Sequence, residues 1–114
     1  MNLPTNLIPV MNNTKWDELR MSMYNLKQLS PAWRTKCWEN GYISKIEGDW
    51  FYYFRKGGYE YIEWVEIYVH SKEQKNQVIS ELTRMHLPTK EITNGFRVYG
   101  YIQLGEPIEY AKLA

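Results

Sequence analysis

Two stretches of the chain place apolar residues three or four positions apart, the spacing that gives an α-helix one apolar face. The first begins near Thr14, with Asp17 as partner in a partial capping box, and is predicted to end at Ser30-Pro31. The second begins at Ser71, where Gln74 completes a capping box, and is predicted to end at Leu87-Pro88. Their apolar positions are Trp16, Leu19, Met23 and Leu26, then Val78, Ile79, Leu82 and Met85.

The chain between these helices has the pattern of a β-meander. Residues 42–46 alternate imperfectly, residues 50–54 are five consecutive aromatics, and residues 59–69 alternate glutamate with apolar side chains. Glycine-containing turns separate these segments and predict antiparallel hairpins. Pro31 is expected to begin a short turn that carries Trp33 and Cys37.

The C-terminal third predicts a further hairpin. Asn94-Gly95 is a favoured two-residue turn, with residues 90–93 before it and residues 96–102 after it. Residues 108–113 are predicted to form one helical turn. The expected fold class is α+β, with one domain over residues 1–114 and the order α-β-β-β-α-β, leaving open an extra short strand near residue 91. The economical arrangement is an antiparallel sheet with both helices on one face and the other face partly open.

Composition narrows the class of protein. The chain has 114 residues, of which 44% are hydrophobic and 24% charged, with a net charge of +1. These values exclude a disordered chain and a strongly basic nucleic-acid protein. A single cysteine excludes a disulfide framework and a cysteine zinc cluster. Neither a signal peptide nor a transmembrane run is recognisable, so we expect a cytoplasmic protein without membrane contact.

Catalytic chemistry finds little support in the residues. Cys37 has the cationic neighbours Arg34 and Lys36, as nucleophilic cysteines often do, but neither histidine can be placed beside it as a base. Glu60 and Glu66 share a strand face, yet lie roughly 20 Å apart, too far for a glycosidase pair. No metal or cofactor site is expected. The sequence leans away from an enzyme without excluding one.

Aromatic residues are the unusual feature, at 16% of the chain with ten tyrosines and five tryptophans. Tyrosine and tryptophan are enriched at protein interfaces. If residues 50–54 and 59–69 are neighbouring strands, their side chains form an aromatic and acidic surface. The predicted partner-binding residues are Trp50, Tyr52, Glu60, Trp64, Glu66 and Tyr68.

Nucleic-acid binding is the alternative. Residues 33–38 interleave two cations with two tryptophans, and residues 55–56 add a basic hairpin tip. Bases can stack on such rings while cations hold phosphates. The candidate residues are Trp33, Arg34, Lys36, Trp38, Arg55 and Lys56.

Five segments together resemble a family of short bacterial proteins of unknown function. They are Lys-Trp-Asp-Glu-Leu at 15–19, Trp-Arg-Thr-Lys at 33–36, Gly-Asp-Trp-Phe-Tyr-Tyr-Phe-Arg at 48–55, Ile-Glu-Trp-Val-Glu-Ile at 62–67 and Arg-Val-Tyr-Gly-Tyr at 97–101. The resemblance covers roughly residues 13–102. It implies a stand-alone bacterial cytoplasmic protein and brings no active site with it.

The sequence thus predicts a small non-enzymatic protein-binding module. Its most concrete form is an immunity-type inhibitor of a bacterial toxin, whose acidic and aromatic patch would cover a basic site. Nucleic-acid binding and an enzyme of unknown type stay open as alternatives. A homodimer that hides the open sheet face is a further possibility for the partner.

Overall fold

The computed structural model describes residues 3–112 of the chain. It contains two helices, a short 3-10 turn and six strands. In chain order these are β1 (Leu7–Pro9), α1 (Asn13–Tyr24), the 3-10 turn (Lys27–Leu29), β2 (Ala32–Cys37), β3 (Ile62–Tyr68), α2 (Lys72–Met85), β4 (Thr89–Ile92), β5 (Gly95–Tyr99) and β6 (Tyr101–Gln103).

Both predicted helices are present, and their ends are set by side-chain caps. The side chain of Ser71 accepts a hydrogen bond from the Gln74 amide at 3.0 Å, which confirms the predicted start of α2. Helix α1 starts two residues earlier than predicted, because the Asn12 side chain, rather than Thr14, accepts from the Lys15 amide. It ends at Tyr24, and the 3-10 turn occupies the chain before Ser30-Pro31.

Four strands form one antiparallel sheet in the order β2-β3-β5-β4, and β1 pairs with β6 in a separate two-stranded sheet. One face of the larger sheet packs against both helices. The buried side chains on that face are Trp33, Val65, Ile67, Phe96 and Val98, and they join Trp16, Leu19 and Met23 of α1 and Val78, Leu82 and Met85 of α2 in one core. The α+β fold with two helices and antiparallel sheets is therefore confirmed, and β4 is the short strand expected near residue 91.

Two of the predicted meander strands are wrong. Residues 42–46 are not a strand, although Ile43 and Glu47 make isolated bridges to β2. Residues 50–54 form turns instead of a strand, because the Asp49 carboxylate accepts hydrogen bonds from the amides of Tyr52 and Tyr53. Those amides are then unavailable for a sheet ladder.

The segment that contains Trp33 and Cys37 is a strand that the sequence did not predict. It was expected as a turn after Pro31 but is strand β2, paired along its length with β3. Strand β3 has one residue more than β2 near its start, since Lys36 pairs with Trp64 and Cys37 with Ile62. This bulge places Ile62 in the core, whereas strict alternation along residues 59–69 would put it on the same face as Trp64 and Glu66.

The C-terminal hairpin lies one residue earlier than predicted. Its two-residue turn is Thr93-Asn94, and Gly95 belongs to β5 opposite Ile92. Residues 108–112 are not helical. Tyr110 makes an isolated antiparallel bridge to Pro88, and the Thr89 amide donates to the Glu109 carbonyl at 2.7 Å. The last residue of the predicted helical turn, at position 113, lies outside the described residues.

Gly95 is required by the close approach of two strands. A Cβ atom at this position would lie 1.8 Å from the backbone oxygen of Ile67. We expect Gly95→Ala to lower the free energy of unfolding by at least about 3 kcal/mol, the upper range for overpacking, in urea denaturation. Gly48→Ala is the matched control, because a Cβ there meets no atom within 4 Å. Equal stability of the two variants would contradict this register of β3 and β5.

Candidate functional site

The face of the four-stranded sheet turned away from the helices carries a mixture of cations and aromatic rings. Cross-strand pairing places Arg34 and Arg97 on either side of Glu66, and Trp64 between Lys36 and Tyr99. We call this surface the open sheet face. Its side chains are Arg34, Lys36, Trp64, Glu66, Tyr68, Lys90, Arg97 and Tyr99.

Glu66 is the centre of the open sheet face. One carboxylate oxygen accepts from Arg34 Nε at 3.0 Å and from the Tyr68 hydroxyl at 2.7 Å. The other accepts from Nε of Arg97 at 3.0 Å and from a second nitrogen of the same guanidinium. The carboxylate side chain is 5% exposed, whereas the Arg34 and Arg97 side chains are 38% and 32% exposed. The negative charge is thus covered by two cations that themselves reach solvent.

These contacts change the acidity of both partners in the carboxylate–phenol pair. Burial alone would raise the pKa of Glu66, but hydrogen bonds from Tyr68, Arg97 and Arg34 outweigh it and lower the pKa below 4.5. Burial, followed by the hydrogen bond to Glu66, raises the pKa of Tyr68 to about 12. Glu66 therefore stays charged and Tyr68 stays protonated at neutral pH.

Glu60, Glu63 and Glu66 are the glutamates that could contribute to the predicted acidic surface, but the structure gives them separate environments. Glu66 is neutralised by two arginines, and the Glu63 carboxylate lies 3.6 Å from the Lys36 ammonium. Glu60 is exposed before β3, and its backbone oxygen accepts from Trp38 and from Tyr101. The open sheet face consequently presents more positive than negative charge.

A second surface is built by residues 49–58, which we call the aromatic loop. Trp50 and Phe54 point inward and are 1% and 3% exposed. Their rings pack 4.7 Å apart, and each also packs against Trp33. The Trp50 indole nitrogen donates to the Pro31 carbonyl at 2.7 Å, so its polar atom is satisfied inside the core.

Backbone contacts fix the same loop. The Trp33 indole nitrogen donates to the Asp49 carbonyl at 3.1 Å, and Arg20 of α1 donates to the Phe51 carbonyl at 2.7 Å. Hydrogen bonds from the loop amides, that of Tyr53 first, lower the pKa of Asp49 against the opposing effect of burial. The loop is therefore held by its two inward rings and by polar contacts at its start.

The remaining aromatic side chains of the loop point outward. Phe51, Tyr52 and Tyr53 are 44%, 53% and 52% exposed. Phe51 packs against Tyr24 of α1 with ring centroids 5.2 Å apart, which extends the apolar surface onto the helix. Four cationic side chains lie over these rings: Arg20 and Arg55 over Phe51, Lys56 over Tyr53 and Lys27 over Tyr24.

The structure divides the predicted partner-binding residues between these surfaces. Trp64, Glu66 and Tyr68 share the open sheet face as predicted, and Tyr52 lies on the aromatic loop. Trp50 is a core residue and cannot reach a partner, which corrects its assignment to a strand surface.

The residues predicted for nucleic-acid binding are divided in the same way. Arg34 and Lys36 lie on the open sheet face, and Arg55 and Lys56 on the aromatic loop. The two tryptophans of that set are occupied within the protein. Trp33 is buried in the core, and Trp38 stacks on Tyr61 at 5.9 Å.

Sequence reasoning missed several residues that build these surfaces, among them Lys90 on the edge strand β4. Arg97 and Tyr99 belong to the predicted C-terminal strand. Their spacing of two residues indicates that they share a face of that strand, but it does not show which strand lies beside it. Phe51 and Tyr53 were part of the five-residue aromatic run. Asp49 directly before that run was the signal for a capped turn rather than a strand.

Metal-ligating side chains do not cluster in the part of the chain that the structure describes. Within residues 3–112, no three side chains of His, Cys, Asp or Glu are grouped closely enough to hold a metal ion. Cys37 is half-buried and forms no disulfide there. Neither described helix is long and apolar enough to cross a bilayer.

Together, the fold and these surfaces define a small α+β domain with an open cationic sheet face and an exposed aromatic loop. A family model described as a family of unknown function (DUF6678) matches residues 3–105, and the chain belongs to this family. No curated protein and no solved structure matches the chain significantly.

The lowered pKa of Glu66 gives a pH-dependent contribution to stability. A depressed folded-state pKa stabilises above the unfolded-state value and loses that effect as pH falls through the folded-state value. We expect Glu66→Gln to lower the free energy of unfolding by about 1–3 kcal/mol at pH 7, with the difference from wild type shrinking below about pH 4.

The matched control for this prediction is Glu60→Gln, which alters an exposed glutamate and should change stability by less than about 0.5 kcal/mol. Both variants are compared with wild type by urea denaturation between about pH 3 and pH 7. A Glu66→Gln difference that does not change with pH would show that the carboxylate charge does not stabilise the fold.

Proposed function

We propose that this protein is a non-enzymatic protein-binding module and that the aromatic loop is its contact surface. The observation that carries the proposal is the arrangement of five consecutive aromatic residues. Two of them are anchored in the core, and the three between them are about half exposed. Large apolar side chains held outward in this way lose little conformational entropy when a partner covers them.

Charge around the loop indicates the chemistry of the partner. Lys27, Arg55 and Lys56 lie over exposed rings, while the carboxylate of Asp49 is engaged by backbone amides. Aromatic and cationic side chains are the residues that most often dominate interface energies. The proposed partner is therefore a protein surface with an apolar depression bordered by carboxylates.

Protein fits this surface better than nucleic acid. Tyr52 and Tyr53 pack edge to face at 77°, so they do not offer parallel rings to successive bases. Of the sequence-predicted stacking residues, Trp33 is buried and Trp38 already stacks on Tyr61. These contacts support the protein-binding hypothesis over the nucleic-acid alternative.

That this protein is an immunity-type inhibitor stays a prediction, in the general sense that it would inhibit another protein by binding to it. The version predicted from the sequence requires an acidic patch, for which residues 59–69 offer Glu60, Glu63 and Glu66. Two of these carboxylates are paired with cations of the same chain, so they do not supply that patch. An inhibitor that used the aromatic loop and the cations over its rings would cover an acidic surface of its target rather than a basic one.

The test replaces two exposed rings together, Tyr52→Ser and Tyr53→Ser, in a tagged protein used to capture partners from cells that naturally produce it. We expect the partner retained by the wild type to be lost, with affinity reduced at least about 100-fold, because central aromatic residues dominate interfaces. Quantitative mass spectrometry of the eluates measures the loss, and circular dichroism checks that the variant is folded.

Leu104→Ser is the matched control, because Leu104 is a large exposed apolar residue on the turn after β6. This variant should retain the partner. Equal capture by the double variant and the wild type would reject the aromatic loop as the contact surface. Recovery of nucleic acid that disappears above about 0.2 M salt would instead support the alternative function.

A further inference from the structure

We infer that Arg34 and Arg97 on the open sheet face form a binding site for a phosphate group carried by a small molecule. This site lies on the sheet face opposite the helices and is independent of the aromatic loop. The inference rests on the positions of the two guanidinium groups, on their remaining hydrogen-bond donors and on the local charge.

Both guanidinium groups are held in place before any ligand arrives. Each lies 3.0 Å from Glu66 through its Nε atom. Each also lies over an aromatic ring, Arg97 over Trp64 at 4.5 Å and Arg34 over Tyr68 at 5.9 Å. An arginine fixed on two sides pays less conformational entropy when it binds an anion.

Glu66 occupies only some of the N–H donors of Arg34 and Arg97. An arginine side chain has five N–H donors, and Glu66 takes one from Arg34 and two from Arg97. The rest belong to side chains that are about one third exposed. Both arginines bind oxygens of the same carboxylate, so the two guanidinium groups lie on either side of Glu66 on one face of the sheet. Planar guanidinium donors fit the oxygens of a phosphate.

Positive charge exceeds negative charge around the two arginines. Lys90 is directly opposite Arg97 on the edge strand β4 and faces the same side of the sheet. Arg34, Arg97 and Lys90 together carry three positive charges, and Glu66 removes one. The Lys36 charge is balanced by Glu63. The remaining positive charge matches that of a phosphate monoester better than that of a carboxylate or a phosphodiester. A phosphate monoester carries a charge between about −1.5 and −2 at neutral pH.

The experiment titrates the intact protein with inorganic phosphate and with phenyl phosphate, against sodium chloride at equal ionic strength. The readout is the NMR signals of the Nε–H groups of Arg34 and Arg97 and of the Trp64 indole. We expect saturable shifts of these signals for both phosphates, with a dissociation constant of about 1 mM or tighter. A single-stranded oligonucleotide serves as the phosphodiester arm and should bind more weakly per phosphate.

Three variants locate the site. Arg34→Gln and Arg97→Gln should each weaken phosphate binding at least about tenfold, because each removes a charged bidentate donor. Lys90→Gln changes an exposed residue, keeps the Glu66 contacts intact and should weaken binding about threefold through lost charge. This variant keeps the test valid if an arginine variant fails to fold.

Arg84→Gln is the matched control, since Arg84 is an exposed arginine paired with Glu81 on α2. It should leave phosphate binding unchanged. Shifts that do not saturate, equal loss of binding in Arg84→Gln and Arg34→Gln, or binding of the oligonucleotide alone would each overturn the inference.

Discussion

Burial of Trp50 and Phe54 is the interaction on which the exposed surface of this protein depends. Residues 49–58 have no helix or strand of their own, so their position comes from these two rings and from contacts at Asp49. Truncating a buried aromatic ring costs about 3–5 kcal/mol, a large part of the stability of a small domain. Because Trp50 and Phe54 point into the core, the three side chains between them point outward. The packing of the core and the exposure of these three rings therefore have the same cause.

Glu66 plays the corresponding part on the other side of the sheet. A carboxylate at the centre of a β-sheet is tolerated because Arg34, Arg97 and Tyr68 satisfy its oxygens. The two arginines are in turn held on aromatic rings, so one buried anion organises several groups that reach solvent. The domain thus carries two preorganised surfaces, an aromatic one beside α1 and a cationic one on the open sheet face.

Local sequence signals predicted the parts of this fold that local physics controls. The cap at Ser71 and the shared face of Trp64, Glu66 and Tyr68 follow from spacing alone and are confirmed. The five-aromatic run was misjudged because ring-rich segments favour strands, whereas here a preceding aspartate binds the amides and the core takes two rings. The pairing of Glu66 with arginines from β2 and β5 needs the strand order, which no local pattern contains.

We expect the segment between Trp50 and Phe54 to be rigid in the free protein, because both of these flanking rings are anchored in the core. The most direct test is the backbone ¹⁵N relaxation of Phe51, Tyr52 and Tyr53 in the protein without a partner. We expect order parameters of about 0.85, equal to those of β3 and α2. Order parameters below about 0.6 for these three residues, with a rigid β3, would contradict it, since the loop would then be mobile and its rings not held outward.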